Sequence, residues 1–506
     1  MRVLLFSMPD SFEHTPTIAM RMPNGALASL AGNVDPHHDV AIADLVLAQD
    51  DVPGTIRRLI LERAPDVVGF SVMTFQRHSA RRAIALVRAL LPKAIVVVGG
   101  YDPSLAPHEY ECAGSGVDII VRGEGDITFR DLLRALEQGA PLDAIAGLSF
   151  RRDGRFIRTP DRHVSHLDDA IKPPKRSARV LSGYTFIGRQ IDIVETSRGC
   201  TYDCSFCSII EMRGRNFHTW SIDKVVEDIA DAQRRGARAV FIVDDNISLN
   251  VARFRALCDA IVRAGLHRID YIVQAMTSAI ASSGDDLAAA MRAAGFRYVF
   301  LGIENVLDSD LAFLKAAAKN AQREHGRTVG SATLRAIDVL HRHGMLVVGG
   351  LIVGNPGDTR ESVEANLEFA RRYVDWPYIQ HPTPYPGTPM TKDFREKQLI
   401  VNEAVEEYDG TTAVVRTEHL EAEEIEFMRW RAERWMKLRH LPVVLRHQPA
   451  FVARNAVGMM RHTFRGMRLR TWLGLEHERE AFRRYKRLRQ RERQFFGTGS
   501  IEAMRQ

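Results

Sequence analysis

The sequence predicts an α/β protein in three parts: an N-terminal doubly wound parallel sheet, a partial (β/α)6 barrel and a helical C-terminal region. Three observations carry this. Short β-branched runs alternate with amphipathic stretches over residues 1–145, a second alternation with six strand-like runs fills residues 190–395, and strand signals stop across 396–506. Apolar runs of about four to six residues, separated by helices of about ten to fifteen, mark strands covered on both faces, as only a parallel sheet flanked by helices requires.

In the first part the runs are RVLLF, VAIAD, DVVGFS, AIVVVGG and DIIVRGEG, with SARRAIALVRALLPK as an intervening helix. Ligands of such sheets bind beyond the carboxyl ends of the strands. Those ends carry Ser71, Thr74, Gly99, Gly100, Gly123 and Glu124. Residues 146–189 read as a hairpin and linker: LSFRRDGRFIRTP alternates about Asp153-Gly154, a strong hairpin signal, and IKPPKRSAR is a basic, proline-containing connector. The barrel runs are IDIVETS, AVFIVDD, YIVQAM, YVFLGIE, MLVVGGLIVG and PYIQHPTP. Barrel chemistry gathers at strand C-termini, which places a cysteine loop, Asp244-Asp245-Asn246, Gln274, Glu304-Asn305 and Gly354 to Gly357 on one rim. Beyond it, EHLEAEEIEFMRWRAERWMKLRHL reads as an acidic helix leading into a basic tail.

Composition is that of a globular chain, 45% hydrophobic and 26% charged over 506 residues. No apolar run approaches the ~20 residues of a membrane span, and MRVLLFSMPDSF is too short-cored for a signal peptide. The expected location is the cytoplasm, with peripheral contact at the inner membrane surface as the alternative. The net charge of +6 divides into +10 for Leu441 to Gln506, where fifteen Arg or Lys face five Glu, and −4 for the first 440 residues. Five cysteines, three of them clustered, do not form a disulfide framework and fit a reducing compartment. Cys112 and Cys258 lie in helical patterns and read as buried structural thiols.

RGCTYDCSFCS, residues 198–208, spaces Cys200, Cys204 and Cys207 as C-x3-C-x2-C. Structural zinc wants four ligands in two pairs, and here only His218 lies near. Three thiolates on an iron-sulfur cluster would leave one iron open for a small molecule. This loop after the first strand of a six-unit barrel resembles the radical S-adenosylmethionine (SAM) superfamily, and GIEN, GNPGDT and PYPGTP recur at the strand ends where that family carries them. The resemblance implies a 4Fe-4S cluster on the three cysteines, with SAM as the fourth ligand and source of a 5′-deoxyadenosyl radical. It further implies Phe206 near the adenine and Asp244 at the methionine ammonium. Gln274 and Glu304 would serve the ribose or carboxylate, and Ile352, Gly354 and Pro356 would form a backbone edge for the base.

A doubly wound sheet ahead of such a barrel is similar to the cobalamin-binding class, which includes methylases and the anaerobic cyclase of chlorophyll synthesis. SVMT, VVVGGYDPS and VRGEGDITF are the matching stretches, whose small residues let backbone approach a nucleotide tail. The Asp-x-His-x-x-Gly signature that supplies a cobalt-ligating histidine in mutase-type domains is absent. The resemblance therefore implies cobalamin at Ser71, Thr74, Gly99, Gly100, Gly123 and Glu124, without a protein histidine on cobalt.

The implied function is a cobalamin-dependent radical SAM methyltransferase acting on an unactivated carbon of a lipid, isoprenoid or secondary metabolite. Cyclisation or rearrangement without methyl transfer, tRNA modification, and a non-catalytic membrane-docked cofactor-binding protein are the alternatives. Partners would be a small-molecule or lipid-like substrate and an external electron donor of flavodoxin or ferredoxin type. No acid or base is compelled. FVARNAVGMMRHTFRGMRLRTWLG, residues 451–474, sets Val457, Met460, Phe464 and Met467 on one side of a helical wheel. It reads as a core-covering helix or as a basic amphipathic segment at a membrane surface. Nucleic acid is disfavoured because no binding module accompanies REAFRRYKRLRQRERQFF.

Overall fold

The computed structural model describes residues 1–162, 167–324 and 327–497. Strand β1 (Arg2–Ser7) begins the first sheet, and β2 (Met20–Arg21) leaves it to edge the second. The first sheet continues with β3 (Asp39–Asp44), β4 (Val67–Ser71), β5 (Ile95–Gly99) and β6 (Ile119–Val121), then β7 (Leu148–Arg152) and β8 (Arg155–Arg158), in the order β3-β1-β4-β5-β6-β7-β8. Its first five strands are parallel, as the double-covered runs require, and every residue of β1 after Arg2 is buried. Two apolar clusters, one on each face, hold helices against it; each fully buried Val, Leu or Ile there contributes about 1.5–3 kcal/mol.

The Asp153-Gly154 hairpin forms as expected, with Asp153 and Gly154 both at positive φ. It is not a separate connector, however. Strand β7 pairs antiparallel with β6, so the hairpin extends the first sheet.

The second sheet has β9 (Thr185–Phe186), β10 (Arg189–Val194), β13 (Ala239–Ile242), β14 (Asp270–Ala275), β15 (Phe296–Glu304), β18 (Leu346–Ile352) and β19 (Trp376–Gln380), in the order β19-β18-β15-β14-β13-β10-β9-β2. Six strands, β10 to β19, are parallel and coincide with the six expected runs. The pair β11 (Ser197–Arg198) and β12 (His218–Thr219) brackets the cysteine loop, and β16 (Ala321–Glu324) and β17 (Arg327–Ser331) form a small hairpin after β15.

The C-terminal region closes the barrel. Phe451 and Val452 pack with Ile191, Ala239, Ile272 and Tyr298, residues on the face of the sheet turned away from its covering helices. The helix Ala422–His447 buries Arg429 against Glu433 at 2.6 Å, and Arg429 Nε donates to His381 Nε2 at 3.2 Å. The last helix, Glu478–Glu492, folds back: Phe482 and Tyr485 pack on Phe427 and Trp430, and Arg489 and Arg493 bind the buried Asp409. Those arginines are therefore spent inside the fold rather than offered to phosphates. The single amphipathic segment expected over 451–474 is interrupted, because the helix Pro449–Thr463 stops before Phe464. Its buried side carries Phe451 and Val452, while Val457 and Met460 are exposed. No helix among the described residues is long and apolar enough to cross a membrane.

Candidate functional site

The cysteine loop leaves the barrel at the end of β10, and its geometry is set by the neighbouring strand. Asp244, two residues past β13, is buried, and its carboxylate accepts from Thr196 N at 2.6 Å, Thr196 Oγ1 at 2.5 Å and Ser197 Oγ at 2.6 Å. Burial outweighs these bonds and raises its pKa to about 6. Both oxygens are engaged by the backbone and hydroxyls that start the loop, so Asp244 anchors the loop. The next residue, Asp245, turns the other way, accepts from Gly199 N at 2.8 Å and pairs with Arg213 at 3.1 Å. Asn246 Nδ2 approaches Cys200 Sγ at 3.9 Å.

Cys204 is buried and Cys200 and Cys207 are half-buried. Burial raises the Cys204 thiol and pushes Cys207 up to about 12, with Lys319 opposing both shifts. A single tetrahedral metal with sulfurs at about 2.3 Å would hold them about 3.8 Å apart. Among the described residues only His37, His38 and Glu137 bring three ligand atoms within 4.8 Å, at the opposite end of the first sheet; the cysteines are not such a set. Three more widely spaced thiols suit a multi-iron cluster, and His218 lies in the strand β12 that pairs with Arg198 of β11.

Lys319, which sequence spacing did not signal, sits beside this loop. Its Nζ lies 2.5 Å from Glu304 and 5.6 Å from the Phe206 ring centre. Burial works against its ammonium, but Glu304 and the thiols outweigh it and hold the pKa above its usual value. Glu304 ends β15 at φ +63°, just past a register shift that aims its side chain across the rim. It is therefore paired with a protein cation.

Phe206 and Ile352 share an apolar cluster with Leu314, Met390 and Phe394. Of the expected backbone edge, the Ile352 carbonyl already accepts from Asn305 and Asn355 side chains at 3.0 and 3.3 Å, Gly354 N and Asn355 N donate to Asp358 at 2.7 and 2.8 Å, and the Pro356 carbonyl accepts from Glu418 N at 2.8 Å. The loop is pre-formed, and these groups are engaged within the protein. Gln274 lies one residue before the end of β14, half-buried.

Between the two sheets lies a cleft of about 560 Å³. Ser71, Gly99, Gly100, Gly123 and Glu124 line it from the first domain, and Pro173, Pro174, Arg176 and Arg179 from the connector. Glu195, Arg198, Arg213 and Asp245 close it from the barrel. Thr74 is not on this wall: it starts a buried 3-10 turn that packs against Val405–Glu407. Gly100, at φ +101°, could not carry a side chain, since a Cβ would fall 2.9 Å from the Val72 carbonyl. Arg198 spans the domains, donating to Asp126 at 2.6 Å and Glu195 at 2.8 Å, all within the cleft wall. Burial raises the Glu124 pKa; its Oε1 makes no hydrogen bond and faces Arg213 Nε at 3.8 Å across the cleft, while Arg176 Nε lies 3.2 Å from Asp192 and Arg179 Nε is buried without a hydrogen-bond partner. A glycine-lined cleft with orphaned acceptors and donors fits a corrinoid, whose rim is studded with amides.

Two family models match the chain side by side. The Radical SAM superfamily covers residues 194–370, and the B12 binding domain covers residues 15–133. The chain belongs to the B12-binding class of radical SAM proteins. An uncharacterized methyltransferase of Pyrococcus horikoshii is 28% identical over 431 residues, 84% of this chain and 90% of that one. An anaerobic magnesium-protoporphyrin IX monomethyl ester cyclase of Synechocystis is 25% identical over 493 residues, 94% and 93% of the two. Among solved structures, the radical SAM methyltransferase TsrM of Kitasatospora setae, with cobalamin and a [4Fe-4S] cluster bound, superposes with a TM-score of 0.63 at 23% identity. The match covers 78% of this chain and 75% of that one, and shows a shared fold.

The structure thus brings five of the six residues expected at the corrinoid into one cleft and leaves Thr74 outside. It also supplies groups that were not anticipated, Arg198, Asp126, Arg213 and Lys319, and turns Asp245, expected on the rim, into the cleft wall. Arg198 was the most visible of these, standing two residues before Cys200. Lys319 follows Glu304 by fifteen positions, in the second of two short helices, Asp308–Phe313 and Ala317–Asn320, too short to show a periodicity. Cys258 is buried as expected, but Cys112 is exposed, because its segment forms a loop and not a helix.

Proposed function

We propose that this protein is a cobalamin-dependent radical SAM methyltransferase that methylates an unactivated carbon of a small, apolar molecule such as a lipid, isoprenoid or secondary metabolite. The observation carrying this reading is that the cysteine loop, through Arg198 and Arg213, is itself a wall of the glycine-lined cleft. When bound, the cluster and SAM supply a radical that removes a substrate hydrogen, and the corrinoid supplies the methyl group.

The chain's own residues do the positioning. Asp244 fixes the start of the loop, Asp245 its first turn, and Arg198 ties it to the helix that begins at Gly125 of the corrinoid domain. Lys319 offsets thiolate charge in a buried setting where an unpaired charge would be costly. Such fixed geometry is what converts two distant cofactors into neighbours of one substrate. A one-electron donor of flavodoxin or ferredoxin type would complete the cycle.

A second reading is oxidative cyclisation, favoured because the Synechocystis cyclase aligns along nearly the whole chain. Anaerobic incubation of reconstituted protein with methyl-deuterated SAM and a lipid and metabolite extract separates the two. Label in a product supports methylation; 5′-deoxyadenosine without label transfer supports cyclisation; no SAM cleavage by the reduced protein contradicts both.

A further inference from the structure

Among the described residues fourteen large hydrophobic side chains are exposed, and eight of them lie between Trp435 and Leu475. That segment also contains eight Arg or Lys and not one Asp or Glu. The two features coincide in space as well as in sequence. Trp435, Phe464 and Trp472 meet at the surface, with ring centres 4.8–5.8 Å apart, and so join the long helix, the end of Pro449–Thr463 and the short helix Leu469–Trp472. Met460 and Val457 continue this surface one and two turns back along the helix from Phe464. Leu469, Leu473 and Leu475 extend it on the other side, at 74%, 62% and 65% exposure.

The charges around it differ from those elsewhere in the tail. Arg465, Arg484, Arg489 and Arg493 are each paired with a carboxylate. Arg446, Arg454, Arg461, Arg468 and Arg470 are exposed and form no ion pair among the described residues. An apolar patch rimmed by unneutralised arginines, whose bordering acids Glu476 and Glu478 are themselves paired with Arg484 and with Arg431 and Arg434, matches the boundary between acyl chains and anionic headgroups. Exposed Trp side chains suit the same depth.

We propose that the Trp435–Leu475 surface docks this protein peripherally on an anionic lipid bilayer. The proposal does not depend on which reaction the cofactors perform.

The test is co-sedimentation of the full chain with phosphatidylcholine vesicles, with and without about one third phosphatidylglycerol, at low and high salt, together with tryptophan emission. The expected result is binding at least about tenfold tighter to the anionic vesicles, weakened by salt, with a blue shift from Trp435 and Trp472. Arg468→Glu with Arg470→Glu should remove the preference for anionic lipid, and Leu469→Ser with Leu473→Ser should remove the blue shift, each leaving the thermal midpoint and bound iron unchanged. Absence of vesicle binding by the unaltered chain overturns the proposal. Equal binding by the Arg468→Glu, Arg470→Glu variant also overturns it. So does a concentration-dependent dimer that Leu469→Ser with Leu473→Ser dissolves, because the patch would then be covered by a second copy.

Discussion

The barrel rim and the interdomain cleft use buried polar groups in opposite ways. At the rim most are matched within the protein: Asp244 by Thr196 and Ser197, Glu304 by Lys319, and the Gly354 and Asn355 amides by Asp358. The exceptions there, Asp310 Oδ2 and Asn355 Oδ1, sit together, and burial, aided by Asp358, raises Asp310 to about 7. In the cleft, Glu124 Oε1 and Arg213 Nε face each other from opposite walls at 3.8 Å, beyond hydrogen-bond reach, and Arg179 Nε of the connector has no hydrogen-bond partner. The rim is a scaffold that holds its shape alone, whereas the cleft keeps polar groups that a ligand could satisfy. A buried polar atom left unpaired costs about 1–3 kcal/mol, so the cleft should gain more stability from its occupant than the rim does.

The sharpest break in this comparison is at the loop itself. Cys204→Ala should abolish the cluster, read as loss of bound iron and of the brown chromophore, while corrinoid retention persists because Cys204 is no part of the cleft wall. Next, Arg198→Met should cost about 3–5 kcal/mol in denaturant unfolding, since it strands Asp126 and Glu195. Arg134→Met, which loses only an exposed pair with Asp35, should cost less than about 1 kcal/mol.

Asp244 offers a pH test of the rim. Its folded pKa of about 6 lies above the usual carboxylate value, so the folded state holds a proton that the unfolded chain releases between about pH 4 and 6. This residue therefore makes stability fall as pH rises through that window, by about 3 kcal/mol in all. In Asp244→Asn that slope should vanish from unfolding curves measured at a series of pH values. The smallest effects belong to the cleft: Glu124→Gln should weaken corrinoid retention about tenfold, and Thr74→Val should leave it unchanged. Loss of corrinoid from Thr74→Val would move the cleft wall.

What the sequence disclosed follows from the range of the physics involved. Every parallel strand of both sheets was legible, because burial on two faces leaves a continuous apolar run in the local sequence; the two-residue antiparallel edge strands β2 and β9 were not. The cysteines were legible because three ligands lie within eight positions. The tasks of Asp244 and Asp245 were not, since adjacent residues on an extended chain point in opposite directions and only the pairing of β13 with β10 decides which meets the loop. Arg198 and Asp126 meet across 72 residues, and Lys319 reaches Glu304 from a four-residue helix; such side-chain partners are set by tertiary packing alone. The hairpin was read correctly as a turn but not as an extension of the first sheet, because its alternation reveals a pairing and not the identity of a third strand.

The account stands on the cleft as a corrinoid site facing the cysteine loop. The most direct measurement is the corrinoid and iron content of the full chain, supplied with hydroxocobalamin and reconstituted anaerobically, after gel filtration, alongside Gly99→Val. Gly99 lies in extended β5 on the cleft wall, where a Cβ makes ordinary contact with Val121, so the larger side chain fits the strand. The account predicts about one corrinoid per native chain and none in the variant, with about four irons retained in both. A native chain that retains no corrinoid, or a variant that retains as much as the native chain, would contradict it.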